Sequence, residues 1–160
     1  MEKIHRELLF KFEHLKGEVL IGKKRIKGME KGETLPADEF VSGPHILHDL
    51  IRGFYKPKGK PYLLSYQATE LSENYGRQIE WEITGEAFSD INMLPPSKEK
   101  DNRKKSDIAA ARFNLNNGIP IGILYRQAKG ENKILGLGLI TEEKQNGVFI
   151  VKPVEGKDVL

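Results

Sequence analysis

Between Gln78 and Thr84 apolar and polar residues alternate without a break. Ile79, Trp81 and Ile83 point one way; Gln78, Glu80, Glu82 and Thr84 point the other. A period of two marks a strand with one face on a core, and Gly85 is placed to end it. That strand commits the surrounding chain to a sheet. Following it as far as Arg126 gives a basic excursion, a short helical pattern and a second strand, so the stretch reads as part of a β-rich domain with a helix packed on it.

The rest of the chain fits that frame. Ile4, Leu8, Leu9, Phe12 and Leu15 share one face of a predicted helix over 2–15, with Gly17 as its stop. Val19–Ile21 is a short apolar run. Tyr62–Tyr66 reads as a buried strand bounded by Pro61, and Gln67–Arg77 as an exposed polar loop. The segment 98–105 has no apolar anchor and is expected to be a surface loop, with Ser106 or Asp107 capping a helix that Asn116-Asn117-Gly118 ends. Ile119–Tyr125 and Ile134–Thr141 are expected strands; in the second, leucine alternates with glycine, as where another backbone or a ligand comes close. Asn146-Gly147 signals a hairpin turn before a returning strand at Val148–Val151, and a charged, loosely held tail is expected over 153–160. Neither repeats nor low-complexity tracts interrupt the pattern, so residues 1–160 read as one domain.

The chain has no cysteine, which excludes disulfides, thiolate metal sites and a thiol nucleophile. No apolar run approaches the roughly 20 residues that cross a bilayer, and Glu2 and Glu7 interrupt any signal-like start, so a cytoplasmic protein with no membrane partner is expected. Net charge is only +3, yet positive residues are clumped. Lys23, Lys24, Arg25 and Lys27 form one cluster; Lys56, Lys58 and Lys60 a second; Lys98, Lys100, Arg103, Lys104 and Lys105 a third. Each falls on a predicted loop, where it is either a solvated turn or a contact for a phosphate backbone.

Motifs for nucleotide, dinucleotide, zinc-protease, serine-hydrolase and calcium chemistry are missing, and no cofactor or metal is expected. His45 and His48 sit at i, i+3 without accompanying acids and are read as structural. Aromatic residues at loops or strand ends are Tyr66, Tyr75, Trp81 and Phe88. They can pack a core or stack a base. Core packing leads for Trp81, which shares a face with Ile79 and Ile83; both readings are open for Tyr66 and Tyr75.

At Gly43-Pro44-His45, and again from Gln78 to Arg126, the chain resembles the SRA (SET- and RING-associated) domains and their bacterial relatives in modification-dependent restriction endonucleases. The matching pieces are Gly43-Pro44-His45, Arg52-Gly53-Phe54, Tyr62-Leu63-Leu64-Ser65, Glu82-Ile83-Thr84-Gly85, Asp107-Ile108-Ala109-Ala110-Ala111-Arg112-Phe113-Asn114 and Gly118-Ile119-Pro120-Ile121-Gly122-Ile123-Leu124-Tyr125-Arg126. They are collinear over about 40–152, and the closing I-L-G-L-G-L-I and V-F-I-V are like the last strands of SRA-like domains attached to HNH nucleases. The family's G-G-Y-x-D-D element is not recognisable; Gln67–Gly76 takes its place. Ile83 stands where the family usually has an aromatic residue.

The resemblance implies an α+β fold: a partly open, twisted, mixed β-barrel of the SRA/PUA class with helices outside. It implies binding of double-stranded DNA with a modified base, most simply a modified cytosine such as 5-methylcytosine, by flipping that base into a pocket. By position, Thr84 is the pocket contact, Tyr66 and Tyr75 are stacking candidates, and Glu73 and Asp90 are acceptors for an exocyclic amine; Trp81 and Phe88 complete the pocket candidates. The basic clusters and Arg126 would hold the DNA backbone. The chain would then be a specificity domain of a modification-dependent restriction system, without catalytic residues of its own and serving a fused or associated nuclease. Two rivals are an RNA-binding PUA-like module and a small metal-dependent nuclease using Glu80, Glu82 or Asp90; a third is a protein-interaction domain with incidental basic loops.

Overall fold

The computed structural model describes residues 1–21, 53–70, 78–94 and 101–160. Its elements are α1 (Lys3–His14), β1 (Val19–Ile21), β2 (Phe54–Tyr55), β3 (Ser65–Thr69), β4 (Ile79–Ile83), β5 (Ala87–Met93), α2 (Asp101–Asn117), β6 (Ile121–Ala128), β7 (Glu131–Glu143), β8 (Phe149–Val154) and α3 (Gly156–Val159). Seven strands run in the order β2-β3-β6-β7-β8-β5-β4, and β1 pairs with β7 beside that path. β3 and β6 pair in parallel. The other pairings are antiparallel. The fold is therefore α+β with a mixed sheet.

The sheet curls without closing into a barrel. β4 and β6 lie four places apart in the order, about 19 Å along a flat sheet. Yet the rings of Trp81 in β4 and Tyr125 in β6 have their centroids 5.0 Å apart. Among the described residues, however, no backbone ladder joins β4 to β2 or β3. The concave face holds the main core, including Phe54, Leu63, Tyr66, Ile79, Phe88, Ile91, Ile121, Ile123, Phe149 and Val151.

A second cluster lies on the outer face under α1, where Leu8, Leu9 and Phe12 meet Leu64, Leu124, Ile134 and Leu137. The expected helical face is found from Leu8 onward, but His5 is buried and Ile4 is exposed. Close approach depends on Gly122: a β-carbon there would overlap the ring of Phe12. α2 adds Ala110 and Ala111 to the main core. Its buried Asn114 clasps an extended stretch beside β3, accepting from the Leu63 N–H at 2.9 Å and donating to the Leu63 carbonyl at 2.9 Å.

Several expectations are corrected. The segment 101–105 is helical, because α2 begins at Asp101, and Asp107 is buried within the helix instead of capping it. Lysine and arginine are good helix formers, and a helix anchored by its apolar end extends at one hydrogen bond per added residue. Tyr62–Leu64 precede β3, which continues through Gln67–Thr69, residues expected in a loop. The tail is docked: α3 follows β8, Leu160 joins the cluster under α1, and Arg6 donates to the Leu160 carbonyl at 3.0 Å. The glycines of β7 serve packing. A β-carbon on Gly138 would lie 2.5 Å from Val151 and 3.1 Å from Ile123, while Gly136, at φ +103°, sits at a bulge opposite Ile123/Leu124.

Candidate functional site

Period-two alternation fixes which side chains reach the concave face. In β6, Ile121 and Ile123 enter the main core, so Tyr125 lies on that face and Arg126 on the other. The register places Ala68 of β3 and Lys133 of β7 level with Tyr125. Here the concave face reaches the surface, and the β4–β5 hairpin leans across it. The Trp81 ring meets Tyr125 edge-on, at an interplanar angle of 71°, and both are half-buried. The Trp81 Nε1–H donates to Glu70 Oε1 at 3.2 Å, just past the end of β3. Lys133 Nζ donates to the carbonyl of Gly85, in the β4–β5 turn, at 2.8 Å. Burial, and then the charge of Glu70, hold the Tyr125 phenol above its ordinary pKa.

This end of the sheet therefore presents two aromatic rings set nearly at right angles, a carboxylate acceptor and an ammonium donor. Such a set can hold a flat, polar-edged ring by stacking and by hydrogen bonds.

The sequence-derived candidates divide clearly. Trp81 belongs to this site, and Thr84 is exposed in the turn at its rim. Tyr66 and Phe88 do not reach the surface; at 2% and 3% exposure they are core residues. Asp90 is on the opposite face from Ile91 and is ion-paired with Lys152, so it is not an acceptor here. Glu80 lies opposite Asp90 in the register and, by the alternation of β4, on the face away from Trp81; the extra residue of the bulge here is Ser89 in β5. Glu73, Tyr75, Lys23, Lys24, Arg25, Lys27, Lys98 and Lys100 lie outside the described residues.

Of the proposed backbone contacts, Arg126 faces away from the aromatic pair. Lys60 is held by Glu2, with Nζ at 2.8 Å and 3.0 Å from the two carboxylate oxygens. Lys58 is exposed and Lys56 half-buried in the turn after β2. Arg103, Lys104 and Lys105 lie in the first turns of α2. Among the described residues no three His, Asp or Glu side chains gather closely enough to hold a metal ion, and no helix is long and apolar enough to cross a membrane.

Sequence reading missed Tyr125, Glu70 and Lys133 as site residues. Counting by two from Ile121 and Ile123 would have put Tyr125 on the concave face. Glu70 and Lys133 join the site only through the curl of the sheet. In comparisons with known proteins, no family model, no curated protein and no solved structure matches the chain.

Proposed function

We propose that the chain binds double-stranded DNA and takes a modified base, most simply a modified cytosine, into the concave end beside Trp81 and Tyr125. The observation that carries this reading is the aromatic corner with Glu70 at its edge. An extruded base needs a stacking surface to offset the few kcal/mol lost on leaving the duplex. Its edge then needs partners, and a carboxylate suits the exocyclic amine of cytosine. Lys133 supplies a donor within the same site. A curled sheet with an open seam and helices outside is in keeping with a partly open barrel of the SRA/PUA class. On this reading the chain is a specificity module, and any cleavage belongs to a fused or associated nuclease.

The test is a gel-shift competition with one duplex sequence in unmodified, 5-methyl, 5-hydroxymethyl, glucosylated and N6-methyl forms, and with RNA of the same sequence. At least one modified duplex should compete about tenfold better than the unmodified one, a difference of about 1.4 kcal/mol. Equal competition by all DNA forms would remove the modified-base reading, and preference for the RNA would point to the RNA-binding alternative.

A further inference from the structure

Among the described residues, side-chain hydrogen bonds bridge the seam of the sheet, and Gln78 makes two of them. Gln78 stands immediately before β4. Its carbonyl accepts from the Asn92 N–H at 2.8 Å, so its backbone belongs to the β4–β5 hairpin. Its side chain crosses to β3 instead: Oε1 accepts from the Tyr66 hydroxyl at 3.0 Å and from the Thr69 N–H at 3.2 Å. The Tyr66 oxygen in turn accepts from the Leu94 N–H at 3.3 Å, just beyond β5. Two oxygen atoms thus tie both ends of the hairpin to β3. Gln78 is 4% exposed, so these bonds are shielded from competing water.

The other side of the hairpin has a ladder only near its base, where Ile91, Asn92 and Met93 pair with β8. The part from Trp81 to Phe88 extends past that ladder. It is held across the concave face by Phe88 in the main core, by Trp81 on Glu70 and Tyr125, and by Lys133 on Gly85. The Trp81 contacts therefore depend on how closely the base of the hairpin is drawn to β3.

We infer that Gln78 is a latch: it closes the β3–β4 seam and so positions Trp81 against Tyr125, and its loss loosens Trp81 and the tip of the hairpin while Ile79 and Phe88 stay in the main core. Gln78 is a positioning residue that acts through Trp81. The inference uses no ligand and stands whether or not the DNA reading does.

Trp81 is the sole tryptophan of the chain, so its fluorescence reports on the seam directly. The experiment compares wild type with Gln78→Ala under conditions where both are folded, by acrylamide quenching of Trp81 and by amide hydrogen exchange. Gln78→Ala should raise quenching and speed exchange in β4 about tenfold over β7, the factor expected for losing one buried hydrogen-bond acceptor. Tyr66→Phe, which keeps the ring and removes one donor to the latch, should shift both readouts in the same direction and serves if Gln78→Ala does not fold. Unchanged quenching, or β4 and β7 amides accelerating equally, would overturn the latch and leave Gln78 as a contributor to global stability only.

Discussion

Acidification should weaken this fold through one buried side chain. His5 lies on α1 at 2% exposure, its ring stacked parallel on Tyr62 at 3.6 Å, and its buried Nε2 has no hydrogen-bond partner among the described residues. Burial lowers its pKa from 6.5 to about 4. Glu2 pulls the other way, while the N-terminal amine and Lys60 push it down further. The native state thus holds the neutral ring, whereas the unfolded chain takes up a proton as pH falls below 6.5. Stability is lost between pH 6.5 and about 4, and His5 removes nothing more below that. A shift from 6.5 to about 4 corresponds to about 3 kcal/mol. That is a large share of the roughly 5–15 kcal/mol that holds a domain together. Glu2 and Glu143, whose pKa values are lowered mainly by their hydrogen bonds to Lys60 and Arg112, also lose their contributions in acid, so the raw profile mixes these with His5. His5→Phe separates them, since it keeps a ring on Tyr62 and removes the titration. In urea denaturation followed between pH 4 and pH 8, the stability difference between wild type and His5→Phe should change by about 3 kcal/mol, nearly all of it below pH 6.5. Parallel profiles, or a His5 that titrates near 6.5 in the folded protein by NMR, would refute the reasoning.

Three substitutions test the packing of the helices on the sheet. Gly122→Ala drives a methyl into the ring of Phe12 and should cost about 1–3 kcal/mol in chemical denaturation; Gly53→Ala, whose β-carbon meets nothing nearer than 3.5 Å, should change stability far less. Asn114→Ala leaves the Leu63 N–H and carbonyl without their clasp, and should cost about 3 kcal/mol by thermal or urea unfolding.

The sequence carried the elements better than their assembly. The alternation of Ile79 and Trp81 placed β4 and its buried face correctly, but Ile83 is 55% exposed. A register shift follows Trp81, and the hairpin there has left the body of the sheet. The face of α1 was visible from Leu8, Leu9 and Phe12. The burial of His5 was not, because it depends on Tyr62 supplying a flat partner from a distant segment. The charged start of α2 had no apolar residue to betray a helix, and only the anchored half of α2 explains it. The parallel pairing of β3 with β6 has β4, β5 and α2 in between, so no local pattern announces it. The site follows the same rule. Trp81 and Thr84 could be nominated from one strand end, whereas Glu70 and Tyr125 meet Trp81, and Lys133 meets Gly85, only because the sheet curls. Tyr66, a stacking candidate by its position in the sequence, is a core residue instead, where its hydroxyl bonds to Gln78 and Leu94.

The most direct test of the proposed site is a paired titration of wild type and Trp81→Ala with a modified duplex and its unmodified counterpart at fixed salt. Wild type should bind the modified duplex about tenfold more tightly, and Trp81→Ala should lose most of that preference while keeping its weaker affinity for the unmodified duplex, since stacking on an aromatic side chain is worth about 1–3 kcal/mol per base. A preference that survives in Trp81→Ala would contradict the placement of the base beside Trp81 and Tyr125.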